Sequence, residues 1–232
     1  MKAMILAAGR GERMRPLTDH TPKPLLQVAG KPLIVHTIVQ LVNAGFHDLV
    51  INHAHLGYQI EQQLGDGSQF GATISYSPEP DGALETAGGI INALPLLGHE
   101  PFLVINGDIA SDFPFATLKQ VQVDLAHLIL VDNPDHHPQG DFYLHDNGSI
   151  RTEGPHKLTF SGIGLYHPDL FKGVPPGKSK LAPLLRQAMT EHKVNGTKLT
   201  GFWMDIGTPE RLHALEQYYL QRATTSSLHS PT

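Results

Sequence analysis

The first half of this 232-residue chain alternates between short apolar runs and stretches of helical period, and that alternation limits the folds open to it. Residues 2–7, 48–52, 72–76 and 101–105 are apolar runs of strand length, and 127–131 is another. Between the first two, Pro32 suits a helix N1 position, Ile34, Ile38, Leu41 and Val42 share one face, and Gly45 is a natural stop. Helical stretches are expected over 56–64, 85–96 and 115–123. Strands buried on both faces read as continuous apolar runs, so this pattern predicts a mostly parallel sheet between two helical layers. The expected fold is α/β, a Rossmann-like three-layer sandwich whose ligands lie at the C-terminal ends of the strands.

The second half has a different texture. A polar turn region covers 133–140, and a hairpin is expected over 141–150 with Asn147-Gly148 at its tip. A glycine-containing strand over 158–166 comes next, then a helix over 181–191 with Pro183 in its first turn. A short strand over 202–206 leads to a final helix capped by Thr208 with Pro209 at N1. The expectation is one domain over 1–222 with a β-rich insertion at about 133–160, and a polar, frayed tail over 223–232.

Charge narrows the partners. With 17 Lys plus Arg against 22 Asp plus Glu, a net charge of -5 provides no basic track for a nucleic acid. An anionic ligand must be met by a local device. No cysteine is present, which excludes disulfides, thiolate metal sites and cysteine nucleophiles. No run approaches the roughly 18 apolar residues of a membrane span, and the apolar start is too short for a signal peptide. A soluble cytoplasmic protein is the plain expectation.

Two segments carry a local device for anions. In 6–15, Gly9 and Gly11 let backbone amides approach phosphate oxygens, and Arg13 can add a forked charged donor. The bland alternative is a tight strand-to-helix turn with Arg10, Arg13 and Arg15 as surface charges. Met14 stands where a dinucleotide loop needs its third glycine, and no Gly-Lys-Ser/Thr closes a Walker A loop. In the second segment Pro22 and Pro24 flank Lys23 and fix its backbone, as suits a lysine aimed at a transferring phosphoryl group. A solvated lysine in a rigid turn is the alternative there.

Carboxylates complete the set. Asp108 comes after an apolar strand and Gly107, and Asp205 lies among apolar neighbours near another strand end. Alone, Asp108 could cap a helix and Asp205 could pair with an arginine. Beside a phosphate loop, magnesium held by one or two carboxylates plus substrate phosphates is the economical reading. The 15 histidines show no His-Glu-x-x-His spacing, and no Gly-x-Ser-x-Gly elbow appears.

The run from Leu6 to Thr18, then Pro22-Lys23-Pro24-Leu25, then Gly107-Asp108, resembles the nucleotidyltransferase core of the sugar-nucleotide pyrophosphorylases over nearly the whole chain. The resemblance implies a magnesium-dependent reaction of UTP with a sugar 1-phosphate. Gly11, Glu12 and Arg13 would hold the triphosphate, with Lys23 near the reacting phosphates and Leu6, Ala8, Gly9 and Glu79 also on the nucleotide side. The stretch from Leu84 through Gly88, with Leu84, Thr86 and Gly88 foremost, would face the nucleoside. Asn106, Asp141 and Glu153 would face the sugar, although the family's Glu-Lys-Pro is here Thr152-Glu153-Gly154-Pro155. Asp108 and Asp205 match the metal carboxylates, and Arg13, Lys23 and Asp108 are the expected catalytic groups.

Further segments, among them Ile51-Asn52-His53-Ala54 and Leu84-Glu85-Thr86-Ala87-Gly88-Gly89-Ile90, resemble the branch of cell-wall recycling, which implies N-acetylmuramate 1-phosphate as the acceptor. The lack of a left-handed β-helix fits a monomeric transferase. Mannose 1-phosphate with GTP, glucose 1-phosphate with a pyrimidine triphosphate, and a silent nucleotide-sugar sensor are the rival readings.

Overall fold

The computed structural model describes residues 1–80 and 84–227. Its strands are β1 (Ala3–Leu6), β2 (Gln27–Val28), β3 (Lys31–Pro32), β4 (Asp48–His53), β5 (Thr73–Pro78), β6 (Phe102–Asn106), β7 (Ile109–Ser111), β8 (Ala126–Val131), β9 (Phe142–Leu144), β10 (Ile150–Arg151), β11 (Lys157–Tyr166), β12 (Val194–Lys198) and β13 (Trp203–Asp205). Its helices are α1 (Leu33–Asn43), α2 (Gly57–Leu64), α3 (Glu85–Leu97), α4 (Leu181–Thr190) and α5 (Pro209–Ser227).

The apolar runs became β1, β4, β5, β6 and β8 of the main sheet, whose order is β10-β9-β11-β6-β1-β4-β5, with β8 and then β12 branching from β11. From β6 to β5 the neighbours are parallel, as the alternating pattern predicts. Beyond β6 the sheet is mixed: β11 runs antiparallel to β6, β8 and β9, and only β12 on β8 restores a parallel pair. Continuous apolarity on β1 reflects burial on both faces. Ala3 and Ile5 join the core beneath α1 and α2, with Ile34, Ile38, Ile60 and Leu64. Met4 points the other way, into the core formed with α3 and α4 through Ile90, Leu97, Leu181 and Leu185.

The expected turn chemistry holds in detail. At the β9–β10 tip, Gly148 takes φ 83 and the Asn147 side chain accepts from the Ser149 amide at 3.0 Å. Thr208 receives the Arg211 amide at 3.4 Å, and Pro209 opens α5. Several details differ from the sequence reading. Pro32 is the N-cap of α1 rather than its first residue. Phe115–Gln120 is a 3-10 helix, confined by Pro114 before it and by extended Val121 after it. The polar segment of β12 gives no apolar signal, yet it pairs with β8 as a strand. The last helix runs to Ser227, and 228–232 of the expected tail lie outside the described residues. Among the described residues no helix is long and apolar enough to cross a membrane.

Gly162 has φ 79 within β11, and the pairing with β8 shifts register between Phe160 and Gly164. A β-carbon at Gly162 would stand 2.6 Å from Asn106 Nδ2, so this bulge makes room for the side chain that ends β6.

One buried titratable group gives a stability test. His127 on β8 is buried, with Nε2 3.0 Å from Thr197 Oγ, and burial lowers its pKa below the ordinary imidazole value. The unfolded chain therefore takes up a proton at this position at a pH where the folded chain does not. The contribution is present above the unfolded value of about 6.5 and is lost as pH falls from there toward the lower folded value. Between pH 7 and 5.5 the urea midpoint of the native chain should fall further than that of His127→Gln; equal slopes would refute the assignment.

Candidate active site

Parallel register brings three strand ends to one level. Leu6 is opposite Asn52 on β4 and opposite Asn106 on β6. A cleft of about 560 Å3 opens there, lined along its floor by Leu6, Asn52, Asn106 and Asp108. The phosphate-loop candidates Ala8, Gly9, Gly11, Glu12 and Arg13 line one wall, with Lys23 beside them. Glu79 and Thr86 line it too. Two segments far apart in sequence thus converge on the edge predicted from strand alternation.

Local conformation explains the glycines that matter most. Gly11 takes φ 68, and a β-carbon there would come 3.0 Å from Thr18 Cγ2 and 3.1 Å from Lys23 Cβ. The Gly11 carbonyl accepts from Thr18 Oγ at 2.8 Å and from the Met14 amide at 2.9 Å, which closes the 3-10 turn Glu12–Met14 carrying Arg13. At the neighbouring strand end, the Gly107 amide donates to the Leu6 carbonyl at 2.8 Å, and a β-carbon would stand 2.6 Å from that same oxygen. This close approach sets Asp108 next to the phosphate loop.

Charges in the cleft are paired across elements. Lys23 Nζ donates to Asp108 Oδ2 at 2.6 Å, with the lysine side chain only 11% exposed. Asp205 lies outside the cleft lining but close by: β13 pairs with β7 so that Asp205 faces Ile109, and the Ile206 amide donates to the Asp108 carbonyl at 2.7 Å. Asp205 also has the arginine partner considered from sequence, Arg211 Nη1 at 2.6 Å.

The nucleotide-side candidate Glu79 belongs to a chain of hydrogen bonds running from the strand ends to α3. The Ala7 amide donates to Asn52 Oδ1 at 2.8 Å, Asn52 Nδ2 donates to Glu79 Oε1 at 2.6 Å, and Glu79 Oε2 accepts from the Leu84 amide at 2.8 Å. Glu79 is buried, and these donors satisfy its carboxyl oxygens. Glu85 then opens α3 at φ 62, a left-handed conformation that costs a non-glycine residue about 1–2 kcal/mol. Leu84 and Gly88 shape this corner without lining the cleft: the Ser179 amide donates to the Leu84 carbonyl, and the Gly88 amide donates to the Ser179 carbonyl.

Two sugar-side candidates stand apart. Asp141 Oδ1 lies 3.1 Å from His137 Nε2, and its Oδ2 accepts from the Phe160 amide at 2.8 Å, at the base of the β9–β10 hairpin. Glu153 is 80% exposed and pairs with Lys157 at 3.0 Å, so the structure does not bring it to the cleft. Conversely, Asn52, Lys178 and Gly207 line the cleft without having been assigned a role from sequence, while Glu85, within the expected nucleoside-facing stretch, lines it beside Thr86. Asn52 was detectable as the polar end of an apolar strand. Lys178 had only the Pro175-Pro176-Gly177 turn before it as a cue.

Fold and site together define a nucleotidyltransferase. The sequence profile of the nucleotidyl transferase family matches residues 2–222, and the chain belongs to that family. It is 59% identical over 220 residues to the N-acetylmuramate alpha-1-phosphate uridylyltransferase of Neisseria meningitidis serogroup B, covering 91% of this chain and 95% of that protein. A protein of the same name from Caulobacter vibrioides is 33% identical, covering 92% of this chain and 95% of its own length. Among solved structures, a putative glucose-1-phosphate thymidylyltransferase from Bacillus anthracis superposes with a TM-score of 0.81 at 25% identity, covering 94% of each chain.

Gly107→Ala tests the close approach. The added methyl must push the β6 end away from Leu6, and overpacking of this kind costs about 1–3 kcal/mol. Denaturant unfolding should show that loss together with weaker nucleotide binding. Native stability with native binding would show that the approach is not required.

Proposed function

We propose that this enzyme transfers UMP from UTP to N-acetylmuramate 1-phosphate, giving UDP-N-acetylmuramate and pyrophosphate in cell-wall recycling. The observation that carries the choice of substrates is the 59% identity, over nearly the full length of both chains, to the Neisseria uridylyltransferase. The chemistry of the cleft agrees with it. A phosphate oxygen of the sugar 1-phosphate attacks the α-phosphorus of UTP, a new P–O bond forms, and the bond to the bridging oxygen of pyrophosphate breaks. The sugar phosphate is already ionised at neutral pH, so no general base is needed.

Each group has a part in that step. The backbone of 8–13 holds the triphosphate, with Arg13 and Lys23 offsetting the charge that grows on the leaving pyrophosphate. The strand ends hold both anions in one cleft and in line, which removes much of the entropic barrier. Glu79 ties the start of α3, where the base is read, to the strand that presents the phosphate loop. On the sugar side, Asn106 at the end of β6 and Asp141 at the hairpin are the polar groups.

Asp108 and Asp205 fit a divalent cation by donor type: hard carboxylate oxygens from the turn between β6 and β7 and from the neighbouring β13, few enough that substrate phosphates and water complete the shell. No cluster of three or more His, Cys, Asp or Glu suited to a metal occurs among the described residues, as suits a cation shared with substrate. Magnesium bound there would supply Lewis-acid stabilisation of the α-phosphate charge. Lys23, now paired with Asp108, would then be free to face phosphate.

Pyrophosphate release with magnesium, crossing UTP, CTP, dTTP and GTP with N-acetylmuramate, N-acetylglucosamine, glucose and mannose 1-phosphates, tests the assignment. UTP with N-acetylmuramate 1-phosphate should dominate; preference for another pair would overturn the acceptor, and silence from folded protein would favour a sensor. Lys23→Ala should lower kcat by roughly 10²–10³-fold, and undiminished turnover would remove Lys23 from the reaction.

A further inference from the structure

Asp205 has a neighbour that the transfer step does not use. Its Oδ2 accepts from Arg211 Nη1 at 2.6 Å, while Oδ1 lies 3.3 Å from His136 Nε2. Arg211 stands in the first turn of α5, whose start is fixed by Pro209 and by the bond from the Arg211 amide to Thr208 Oγ. The guanidinium is therefore held from a defined turn rather than from a loop, and its side chain is 23% exposed.

Gly207 shows how tightly this corner is arranged. A β-carbon there would come within 3.2 Å of Arg211 Nη1 and within 3.2 Å of Arg13 Nη2. Two guanidinium groups thus converge on one glycine, from α5 and from the phosphate loop. Like charges at such proximity repel unless an anion separates their tasks. The Asp205 carboxylate takes Arg211 at 2.6 Å, while Arg13 lines the cleft.

A carboxylate has two oxygens and about four lone-pair directions. Arg211 engages Oδ2, and Oδ1, with His136 Nε2 at 3.3 Å, keeps further lone-pair directions for a cation. We infer that Arg211 is a positioning residue, which fixes the Asp205 carboxylate for a divalent cation and keeps it from turning onto Arg13. This inference rests on the reading of Asp205 as a cation ligand. Partners that orient a ligating carboxylate typically change metal affinity by about 10–100-fold when lost. An ordinary ion pair at the start of a helix would change stability and leave cation affinity alone.

The test is Mn2+ binding to the full chain, followed by electron paramagnetic resonance, with urea unfolding of each variant alongside. Asp108→Asn and Asp205→Asn should each weaken Mn2+ binding. Arg211→Gln should weaken it by about 10–100-fold, and the double variant Arg211→Gln with Asp205→Asn should bind no worse than Asp205→Asn alone. Arg211→Lys keeps a charge but not the planar fork and should fall between native and Arg211→Gln. It carries the test by itself should Arg211→Gln fail to fold. Native or tighter Mn2+ affinity in folded Arg211 variants, with both aspartate variants weakened, would overturn the role of Arg211 alone. Native affinity in both aspartate variants would overturn the cation site itself, and the inference with it.

Discussion

Parallel pairing of β1 on both of its edges is the constraint on which the site depends. Once Leu6 stands opposite Asn52 and Asn106, three strands end at the same height, and the segments leading away from them must leave the sheet at one place. β1 runs into the glycine loop, and β6 runs into Gly107 and Asp108. The Gly107 amide on the Leu6 carbonyl and the Ala7 amide on Asn52 extend the pairing past the regular strands, so the cleft floor is as well held as the sheet. Loops that carry chemistry are usually the mobile part of a fold. Here the phosphate loop is anchored at both ends, by β1 behind it and by the Thr18 hydroxyl on Gly11 ahead of it.

The same geometry sets the electrostatics. A chain with a net charge of -5 has few cations to offer an anion, and the fold gathers Arg13, Lys23 and Lys178 at one cleft. Lys23 and Arg211 are held against Asp108 and Asp205. A paired charge in a partly buried site avoids the desolvation cost of an isolated one. Both pairs hold a carboxylate and a cation in fixed orientations, as the proposed exchange with substrate and cation would require. Preorganisation of this kind lowers the reorganisation needed during the reaction.

The elements themselves were largely legible. The apolar runs became β1, β4, β6 and β8 because strands covered on both faces tolerate no polar alternation, and that signal is local; β5, at the sheet's edge, alternates instead. The cap at Thr208, the Asn147-Gly148 tip and the Pro183 start of α4 were equally readable, since turn and cap chemistry acts within a few residues. β7 and β12 were missed for the complementary reason. They are short or polar, and only their partners, β13 and β8, make them strands. Beyond the β9–β10 hairpin, the antiparallel half of the sheet was likewise out of reach, because strand direction there depends on the path of the chain rather than on side-chain pattern.

For the site, the sequence by itself determined the phosphate loop, Lys23 between its prolines, and Asp108 at a strand end, because each motif carries its conformational requirement in adjacent residues. Tertiary structure alone decided that Lys23 meets Asp108, that Asn52 and Glu79 link the phosphate strand to α3, that Lys178 reaches the cleft and that Arg211 grips Asp205. Tertiary structure also left Glu153 in solvent beside Lys157. These are contacts between residues up to 85 positions apart, as for Lys23 and Asp108. Their partners are chosen by strand register and close backbone approach, and neither is written in the residues that meet.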